Sequence, residues 1–239
     1  MKERLDQLAR DWARVGVLFG AVPAEASPDL ERLLIASAGA ASANSRLLRA
    51  IVTWLAHYSE FVARHRLARL IATEADPLES AALGFALETA AKVGGTSALN
   101  EAIGACTPLK AARPLFDVES GALAELAYRR ASEESKRWGV WAAPIEPALD
   151  TLRPAAWVLA HNPTYRDRIV RKGDLRCSII ESLRHDAPRG VRSEAELARL
   201  AGATRAAVRK ALESLVLEGD VRVFERNARD RGVELRSVA

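Results

Sequence analysis

Residues 193–215 read SEAELARLAGATRAAVRKALESL. Within this stretch, Ser193 is followed three residues later by Glu196, which is the pattern of a capping box, so a helix is predicted from 194 to 201. Gly202 then indicates a turn, because glycine readily adopts the left-handed backbone conformation that commonly ends a helix. A capped helix with a sharp stop is therefore expected within the last third of the chain.

A second helix is predicted directly after this turn, from 205 to about 218, with Thr204 as its N-cap. One side of this helix is apolar and carries Val208, Leu212 and Leu215. Another side is basic and carries Arg205, Arg209 and Lys210. Because Arg205 and Arg209 lie one helical turn apart on the same face, both guanidinium groups can enter one major groove of DNA, where arginine pairs with guanine.

The sequence around these two helices predicts one more helix and a hairpin. The additional helix is marked by Leu175, Ile179, Ile180 and Leu183. Residues 221–225 alternate between apolar and polar as a strand does, and they can pair with 232–235 through the loop 226–231. The predicted unit has three helices followed by a two-stranded ribbon.

The stretch from about Asp174 to Arg236 resembles the winged helix-turn-helix superfamily. The motifs that carry the resemblance are ELARLAG at 196–202, TRAAVRKAL at 204–212 and LVLEG at 215–219. In that superfamily the helix after the turn enters the major groove, and the tip of the ribbon touches the adjacent minor groove or the backbone. The residues that the resemblance implies as contacts are Arg205, Arg209 and Lys210 on the helix, with Arg229 and Arg231 on the wing.

Two further candidates follow from the chemistry of the residues themselves. Thr204, as an N-cap, can offer its backbone N–H or its hydroxyl to a phosphate. Arg226 joins Arg229 and Arg231 within six residues of the ribbon loop, and such a cluster suits a narrow, electronegative minor groove. The candidate contacts to double-stranded DNA are therefore Thr204, Arg205, Arg209, Lys210, Arg226, Arg229 and Arg231.

The charge of this region leaves other interpretations open. From Asp174 to the end of the chain, thirteen Arg or Lys residues stand against eleven Asp or Glu residues, a net charge of only +2. These basic residues can simply belong to the solvated surface of a small domain. Protein docking and RNA binding are further alternatives to DNA binding. The whole chain carries +4 with a pI near 9.3, which permits a polyanionic partner without requiring one.

Length and composition predict two domains and a mainly α fold. The chain has 239 residues, and apolar residues make up 49% of it although aromatic residues make up only 5%. Alanine and leucine supply most of the apolar content, which favours helices over sheets. With the boundary placed near Gly173, an all-helical domain is expected over 1–172, for dimerisation, ligand binding or partner binding, and a winged helix-turn-helix domain over 173–239.

The apolar spacing of the first domain predicts a series of amphipathic helices. They run from Leu5 to Phe19, from Pro28 onward, from Asn44 or Ser45 to Val62, from Asp76 to Gly94 and from Ser120 to Lys136. A basic run follows at 165–172. No known family of helical domains is recognised in this part of the chain.

All five tryptophans lie before the predicted boundary. Their default role is packing in the core, because their rings bury a large apolar area. The segment Trp138-Gly139-Val140-Trp141 has a second interpretation, since its proline-flanked aromatic rings can line a ligand pocket or a partner groove.

The sequence lacks the motifs that are typical of several classes of enzyme. There is no Walker loop, no Gly-x-Ser-x-Gly, no His-Glu-x-x-His and no Rossmann glycine fingerprint. Gly94-Gly95-Thr96-Ser97 lacks the lysine of a phosphate cradle and follows a helix, so it is predicted to be a helix-ending turn. His57 and His65 lie two turns apart, which suits surface or interface residues better than metal ligands. We therefore expect no enzyme activity, no catalytic residue, no cofactor and no metal.

The cellular compartment is predicted from the cysteines and the N-terminus. Cys106 and Cys177 are the two cysteines, far apart and outside any Cys-x-x-Cys motif, which argues for a reducing compartment. Residues 1–6 alternate in charge where a signal peptide needs an apolar core, and the longer apolar stretches are broken by Arg or Glu. A soluble cytoplasmic protein without membrane contact is expected.

Two classes of function follow from these observations. In the first, the protein is a bacterial-type transcriptional regulator, which reads the major groove with helix 205–218 and the adjacent groove or backbone with the wing at 226–231. Its helical domain would form a homodimer, which matches a palindromic operator, and could sense a ligand. In the second, the helical domain docks a partner protein, as in an antitoxin or a defence-system subunit. A helical hydrolase or transferase with a DNA-reading appendix is a third, minor class.

Overall fold

The structure is a computed structural model that describes residues 2–117, 121–227 and 230–236, with the backbone alone at 225–227 and 230. The chain is mainly helical and has a small two-stranded antiparallel sheet near its C-terminus. The helices are α1 (Lys2–Arg14), α2 (Leu30–Gly39), α3 (Ser45–Tyr58), α4 (Arg64–Glu74), α5 (Pro77–Gly94), α6 (Asn100–Ala105), α7 (Gly121–Arg130), α8 (Glu133–Arg137), α9 (Ala155–His161), α10 (Tyr165–Arg171), α11 (Leu175–His185), α12 (Glu194–Ala201) and α13 (Arg205–Glu218). The strands are β1 (Arg113–Pro114), β2 (Val140–Trp141), β3 (Val221–Asn227) and β4 (Asp230–Leu235).

The buried apolar side chains form two separate clusters. One lies within residues 8–165 and the other within residues 179–233. The predicted boundary at Gly173 falls between them, in a tight turn where this glycine has a φ of +63°. Residues 2–172 are termed the helical part below, and residues 174–236 the C-terminal segment.

Trp12 and Trp54 lie at the centre of the helical part, where both are fully buried. Their rings meet edge to face with 6.3 Å between the centroids. The indole N–H of Trp12 donates to Ser37 Oγ at 2.9 Å, and that of Trp54 donates to the carbonyl oxygen of Val15 at 3.0 Å. Both rings therefore pack in the core with their polar N–H groups satisfied.

The segment from Trp138 to Trp141 serves packing and strand pairing. The Trp138 ring lies over Gly84 of α5, where an added Cβ would stand 2.4 Å from the ring. Its indole N–H donates to Glu88 Oε2 at 2.7 Å. β2 pairs in parallel with β1, so the helical part is not all-helical as predicted. Alternation over two residues is too short for a sequence pattern to reveal such a pair.

α1 ends at Arg14, and the prediction that this helix continues to Phe19 is wrong. Gly16 has a φ of +96°, and a Cβ at this position would lie 2.7 Å from the Val158 side chain. Val17 then forms an isolated β-bridge with Leu152. The apolar spacing continues past the helix because Val15, Val17 and Phe19 are buried in the same core.

Other helices also depart from the prediction. The helix predicted over 120–136 is divided into α7 and α8, because Ser132 starts a new helix by accepting the N–H of Ser135 at 3.0 Å. Ser120 itself lies outside the described residues. The helix predicted to reach Val62 ends at Tyr58, and α4 is not among the predicted helices.

The C-terminal segment contains the predicted three helices followed by a hairpin. α12 and α13 have the predicted bounds, and Gly202 between them has a φ of +73°. Thr204 caps α13, since its Oγ1 accepts the N–H of Ala207 at 3.2 Å. In the hairpin, Val221 lies opposite Leu235. β3 continues to Asn227 and β4 begins at Asp230, so the prediction of a loop over 226–231 is wrong at both of its ends, where cross-strand pairing extends the ribbon.

The cap at the start of α12 differs from the predicted capping box in one bond. Ser193 Oγ accepts the N–H of Glu196 at 3.1 Å, as predicted. The Glu196 carboxylate, however, accepts the N–H of Arg192 at 2.8 Å and not that of Ser193. The Ser193 bond satisfies a backbone donor that the first turn of the helix leaves free, whereas the Arg192 N–H lies one residue before the N-cap.

Replacing Ser193 with alanine is expected to lower the free energy of unfolding by about 1 kcal/mol, because the first turn of α12 loses its cap. Urea denaturation followed by circular dichroism measures this change. Ser45→Ala is the matched control, since Ser45 is exposed and α3 is capped by Asn44. Equal stabilities of the two variants would contradict the assigned cap.

A buried cluster of charged residues joins the two parts of the molecule. Arg168 of α10 is fully buried and donates to Glu31 Oε1 at 2.6 Å and to Glu181 Oε2 at 2.6 Å. Glu31 belongs to α2, whereas Glu181 belongs to α11 of the C-terminal segment. Arg171 is also buried and pairs with Glu218 and Asp220. Two arginines of the basic run at 165–172 are therefore internal ion-pair partners.

Arg66 of α4 adds a third buried guanidinium to this charged cluster. It donates to Glu31 Oε2 at 2.8 Å, to Asp29 Oδ2 at 2.7 Å and to Asp186 Oδ2 at 3.0 Å. Burial alone would raise the pKa of Asp29 and that of Asp186, but the Arg66 guanidinium beside them lowers both below the ordinary value. These carboxylates therefore stay ionised and tie α2, α4 and α11 together.

α4 also packs against the turn between α12 and α13. The Arg69 Nε donates to the carbonyl oxygen of Leu200, at the end of α12, at 3.0 Å, and its Nη2 donates to Asp186 at 2.7 Å. A Cβ on Gly202 would stand 2.4 Å from the carbonyl oxygen of His65. The turn is thus packed closely against the helical part, and this contact decides which face of α13 remains open.

Candidate nucleic-acid interface

The first turns of α13 face solvent. Thr204, Arg205, Arg209 and Lys210 are all exposed, as are the small residues Ala206 and Ala207. The side chains of Arg205 and Arg209 are 50% and 56% exposed. The four candidate residues of α13 therefore lie together on an open surface, and the helical part does not cover them.

A carboxylate that the sequence interpretation did not single out lies beneath these arginines. Glu194, the first residue of α12, is only 3% exposed. Its Oε2 accepts from Arg209 Nε at 3.1 Å and from Arg209 Nη2 at 2.9 Å, and it lies 3.5 Å from Arg205 Nε. The sequence places Glu194 in the first turn of α12 but carries no signal that its side chain faces α13.

A groove of about 430 Å³ separates α13 from the β3–β4 ribbon. Arg209 lines it from the helix and Arg231 lines it from β4, and Arg231 is exposed. This α13–ribbon groove thus brings together one predicted helix contact and one predicted wing contact. Arg229 and the side chain of Arg226 lie outside the described residues.

The contacts with the helical part change the charge balance of the C-terminal segment. Four of its eleven carboxylates pair with arginines of the helical part; these are Glu181, Asp186, Glu218 and Asp220. Arg184 of the segment in turn pairs with Asp167 of the helical part, so seven carboxylates remain against twelve basic residues. The open face is therefore more positive than the sequence total of +2 indicates, because neutralised charges contribute little to the field outside.

The basic surface is confined to the first half of α13. Further along the helix Glu213 is exposed, Val216 is 40% exposed and Leu217 is 88% exposed. Acidic and apolar side chains are poor partners for phosphate oxygens. Any contact with nucleic acid therefore falls on the N-terminal end of α13 and on the ribbon.

The described residues contain no group of three or more His, Cys, Asp or Glu side chains arranged to hold a metal ion. Burial raises the pKa of the Cys106 thiol to about 12, and it also raises that of Cys177. Both thiols therefore remain protonated at neutral pH. Gly95 ends α5 with a φ of +61° and donates its N–H to Ala91, which confirms that the Gly94–Ser97 stretch begins with a helix-ending turn.

No helix in the part of the chain that the structure describes is both long enough and apolar enough to span a lipid bilayer.

Comparisons of this chain with protein-family models, with curated proteins and with solved structures found no match.

Proposed function

We propose that this protein binds specific double-stranded DNA sequences through a winged helix-turn-helix domain at 173–239, and that it acts as a transcriptional regulator of the bacterial type. The observation that carries the proposal is the exposed basic start of α13, with Arg231 of the ribbon lining the same groove as Arg209. No cofactor or metal is needed for this function.

In this proposal, the N-terminal end of α13 enters the major groove. Arg205 and Arg209 lie one turn apart and present guanidinium groups, which recognise guanine through its O6 and N7 atoms. Ala206 is small and exposed, so the helix can approach the base edges closely. Thr204 and Lys210 flank these residues and suit phosphate contacts, which set the register on the duplex.

The ribbon supplies the second contact in this proposal. Arg231 lines the α13–ribbon groove together with Arg209. A cation in this position can reach the adjacent minor groove or backbone when α13 occupies the major groove. Arg226 and Arg229 belong to the same proposed wing.

A homodimer formed through the helical part belongs to the proposal. Two copies related by a twofold axis would present two copies of α13, so the preferred DNA would contain an inverted repeat. The two half-sites would lie about one helical turn apart, or a multiple of it, roughly 34 Å or more.

Arg205→Ala and Arg209→Ala are each expected to weaken binding to a duplex enriched from a random pool by about 1 to 3 kcal/mol. The physical reason is the loss of a guanine or phosphate contact at the open face of α13. Fluorescence anisotropy measures the affinities, and wild-type binding should weaken steeply as salt rises, because bound phosphates release counterions.

Arg129→Ala provides a matched control for these variants, since Arg129 is 71% exposed on α7, in the helical part. The double variant leaves the buried Glu194 without its arginine partners, so each protein is first checked by thermal melting. Unchanged affinity of a folded double variant would contradict the proposal.

A second function is supported by the exposed apolar residues of α7. Leu126 is 41% exposed and Tyr128 is 50% exposed, and the Tyr128 ring meets Trp141 edge to face. Such a surface suits a docking component, as in an antitoxin or a defence-system subunit whose helical domain binds a partner protein. Failure to enrich any duplex, together with a partner that co-purifies in stoichiometric amount, would favour this function.

A further inference from the structure

We infer that Glu194 is a positioning residue that makes Arg209 a reader of guanine, and that it thereby provides sequence specificity at the proposed interface. The inference rests on the proposed function and adds a residue that neither the motifs nor the resemblance identified. Its structural basis is a buried carboxylate bound to one edge of a half-exposed guanidinium group.

Glu194 binds one edge of the Arg209 guanidinium and leaves the other edge open. An arginine side chain has five N–H donors in a fixed planar fork. Glu194 Oε2 accepts from Nε and Nη2 of Arg209, at 3.1 and 2.9 Å. The outer edge, where Nη1 and Nη2 each carry an outward N–H, is left for another acceptor pair. That edge can donate two parallel hydrogen bonds to O6 and N7 of a guanine.

The position of Glu194 fixes the direction of this edge. Its backbone starts α12 beside the Ser193 cap, and its side chain is buried between α12 and α13. An exposed arginine normally samples many rotamers, and their loss on binding opposes affinity. Because Glu194 holds Arg209 in one orientation before DNA arrives, less of that entropy is lost when a guanine is bound.

Glu194 also lowers the net positive charge of the surface that faces DNA. Its carboxylate lies between Arg209 and Arg205, 3.5 Å from the Nε of the latter. Removal of one negative charge strengthens attraction to any phosphate backbone, regardless of sequence. Loss of Glu194 should therefore have opposite effects on specific and non-specific binding, which a purely structural role would not produce.

The test compares Glu194→Gln with Glu196→Gln in the full-length protein. Glu196 is in the same first turn of α12, but its carboxylate accepts the Arg192 N–H and not a guanidinium of α13. Both variants remove one negative charge from the same helix and retain an acceptor oxygen. Affinities are measured for an enriched duplex and for a shuffled duplex of equal length and composition, at two salt concentrations.

We expect both variants to bind the shuffled duplex at least as tightly as wild type does. For Glu194→Gln alone, the ratio of specific to non-specific affinity should fall about 10-fold, because one bidentate contact loses its fixed geometry. In an Arg209→Ala background, Glu194→Gln should leave that ratio unchanged, since the residue acts through Arg209. Thermal melting of each variant establishes that it is folded.

The possible outcomes separate this inference from the proposed function. If wild-type protein enriches no duplex and binds none at low salt, the proposed function fails and the role of Glu194 fails with it. If wild type is specific but Glu194→Gln and Glu196→Gln keep the same affinity ratio, the proposed function stands and the role of Glu194 is wrong. If Glu194→Gln lowers the ratio equally in the Arg209→Ala background, its action through Arg209 is refuted.

Discussion

Arg168→Met is expected to lower the free energy of unfolding by about 3 kcal/mol, because it removes the buried guanidinium that Glu31 and Glu181 share, although Glu31 keeps Arg66 and Glu181 keeps Arg184. Arg168 is fully buried, donates to Glu31 and Glu181, and also donates to the carbonyl oxygen of Phe61 at 2.8 Å. Methionine resembles the unbranched stem of arginine but is shorter and offers no N–H donor. A change of this size is a large fraction of the stability of an ordinary domain.

Urea denaturation measures this loss, with circular dichroism following helices and tryptophan fluorescence following the helical part. Arg129→Met is the matched control, because Arg129 pairs with Glu125 on the exposed surface of α7. Exposed pairs contribute about 0 to 1 kcal/mol, so the control should be close to wild type. Similar stabilities of the two variants would show that the buried pairs contribute no more than surface pairs.

Acid is expected to unfold the protein between about pH 4.5 and pH 2, through the same charged cluster. Burial alone would raise the pKa of Glu181, but Arg168, His185 and Arg184 around it lower it from 4.5 to about 2. A carboxylate whose pKa is lower in the folded state stabilises the fold fully above its unfolded pKa, and this stabilisation is lost as pH falls towards the folded value. For Glu181 alone the loss is about 3 kcal/mol, and Asp29 and Asp186, whose pKa values are also lowered, add to it.

The measurement is a series of urea denaturation curves from pH 7 to pH 2.5. Because buried pairs are screened little by salt, the acid transition should move only slightly between low and high ionic strength. Constant stability over this pH range would contradict the assignment, as would a transition that follows ionic strength closely, since that behaviour is typical of exposed pairs.

The two predictions concern a cluster that joins the helical part to the C-terminal segment. Asp186, directly after α11, accepts hydrogen bonds from Arg66 and Arg69 of α4, and Arg69 also donates to the last turn of α12. The turn before α13 is therefore held by the helical part through charged contacts. In the proposed function, this connection would fix the orientation of the two copies of α13 in a homodimer.

Local signals in the sequence determined most of the C-terminal segment. Ser193, Gly202 and Thr204 set the ends of α12 and the start of α13, because capping and left-handed turns depend on a few neighbouring residues. The alternating residues after Gly219 likewise predicted the ribbon. These features need no knowledge of the rest of the fold.

The helical part was less predictable because contacts distant in sequence override local spacing. Val15 and Val17 continue the apolar pattern of α1 but lie beyond its end at Arg14, on either side of Gly16, which packs against Val158. Trp138 is 54 residues from Gly84 in the chain, yet its ring lies on that glycine. Apolar periodicity identifies which residues are buried, but it does not identify the backbone conformation in which they are buried.

The sequence alone determined that this chain is mainly helical and that Arg205 and Arg209 share one face of a helix, since both facts depend on neighbours within a few turns. Only the tertiary structure decided which charged side chains are exposed and which are held in internal ion pairs. It buries Arg168 beside Glu181, places Glu194 under Arg209 and leaves the start of α13 open. An ion pair depends on distances between side chains that are remote in sequence, and such distances exist only once the helices have packed.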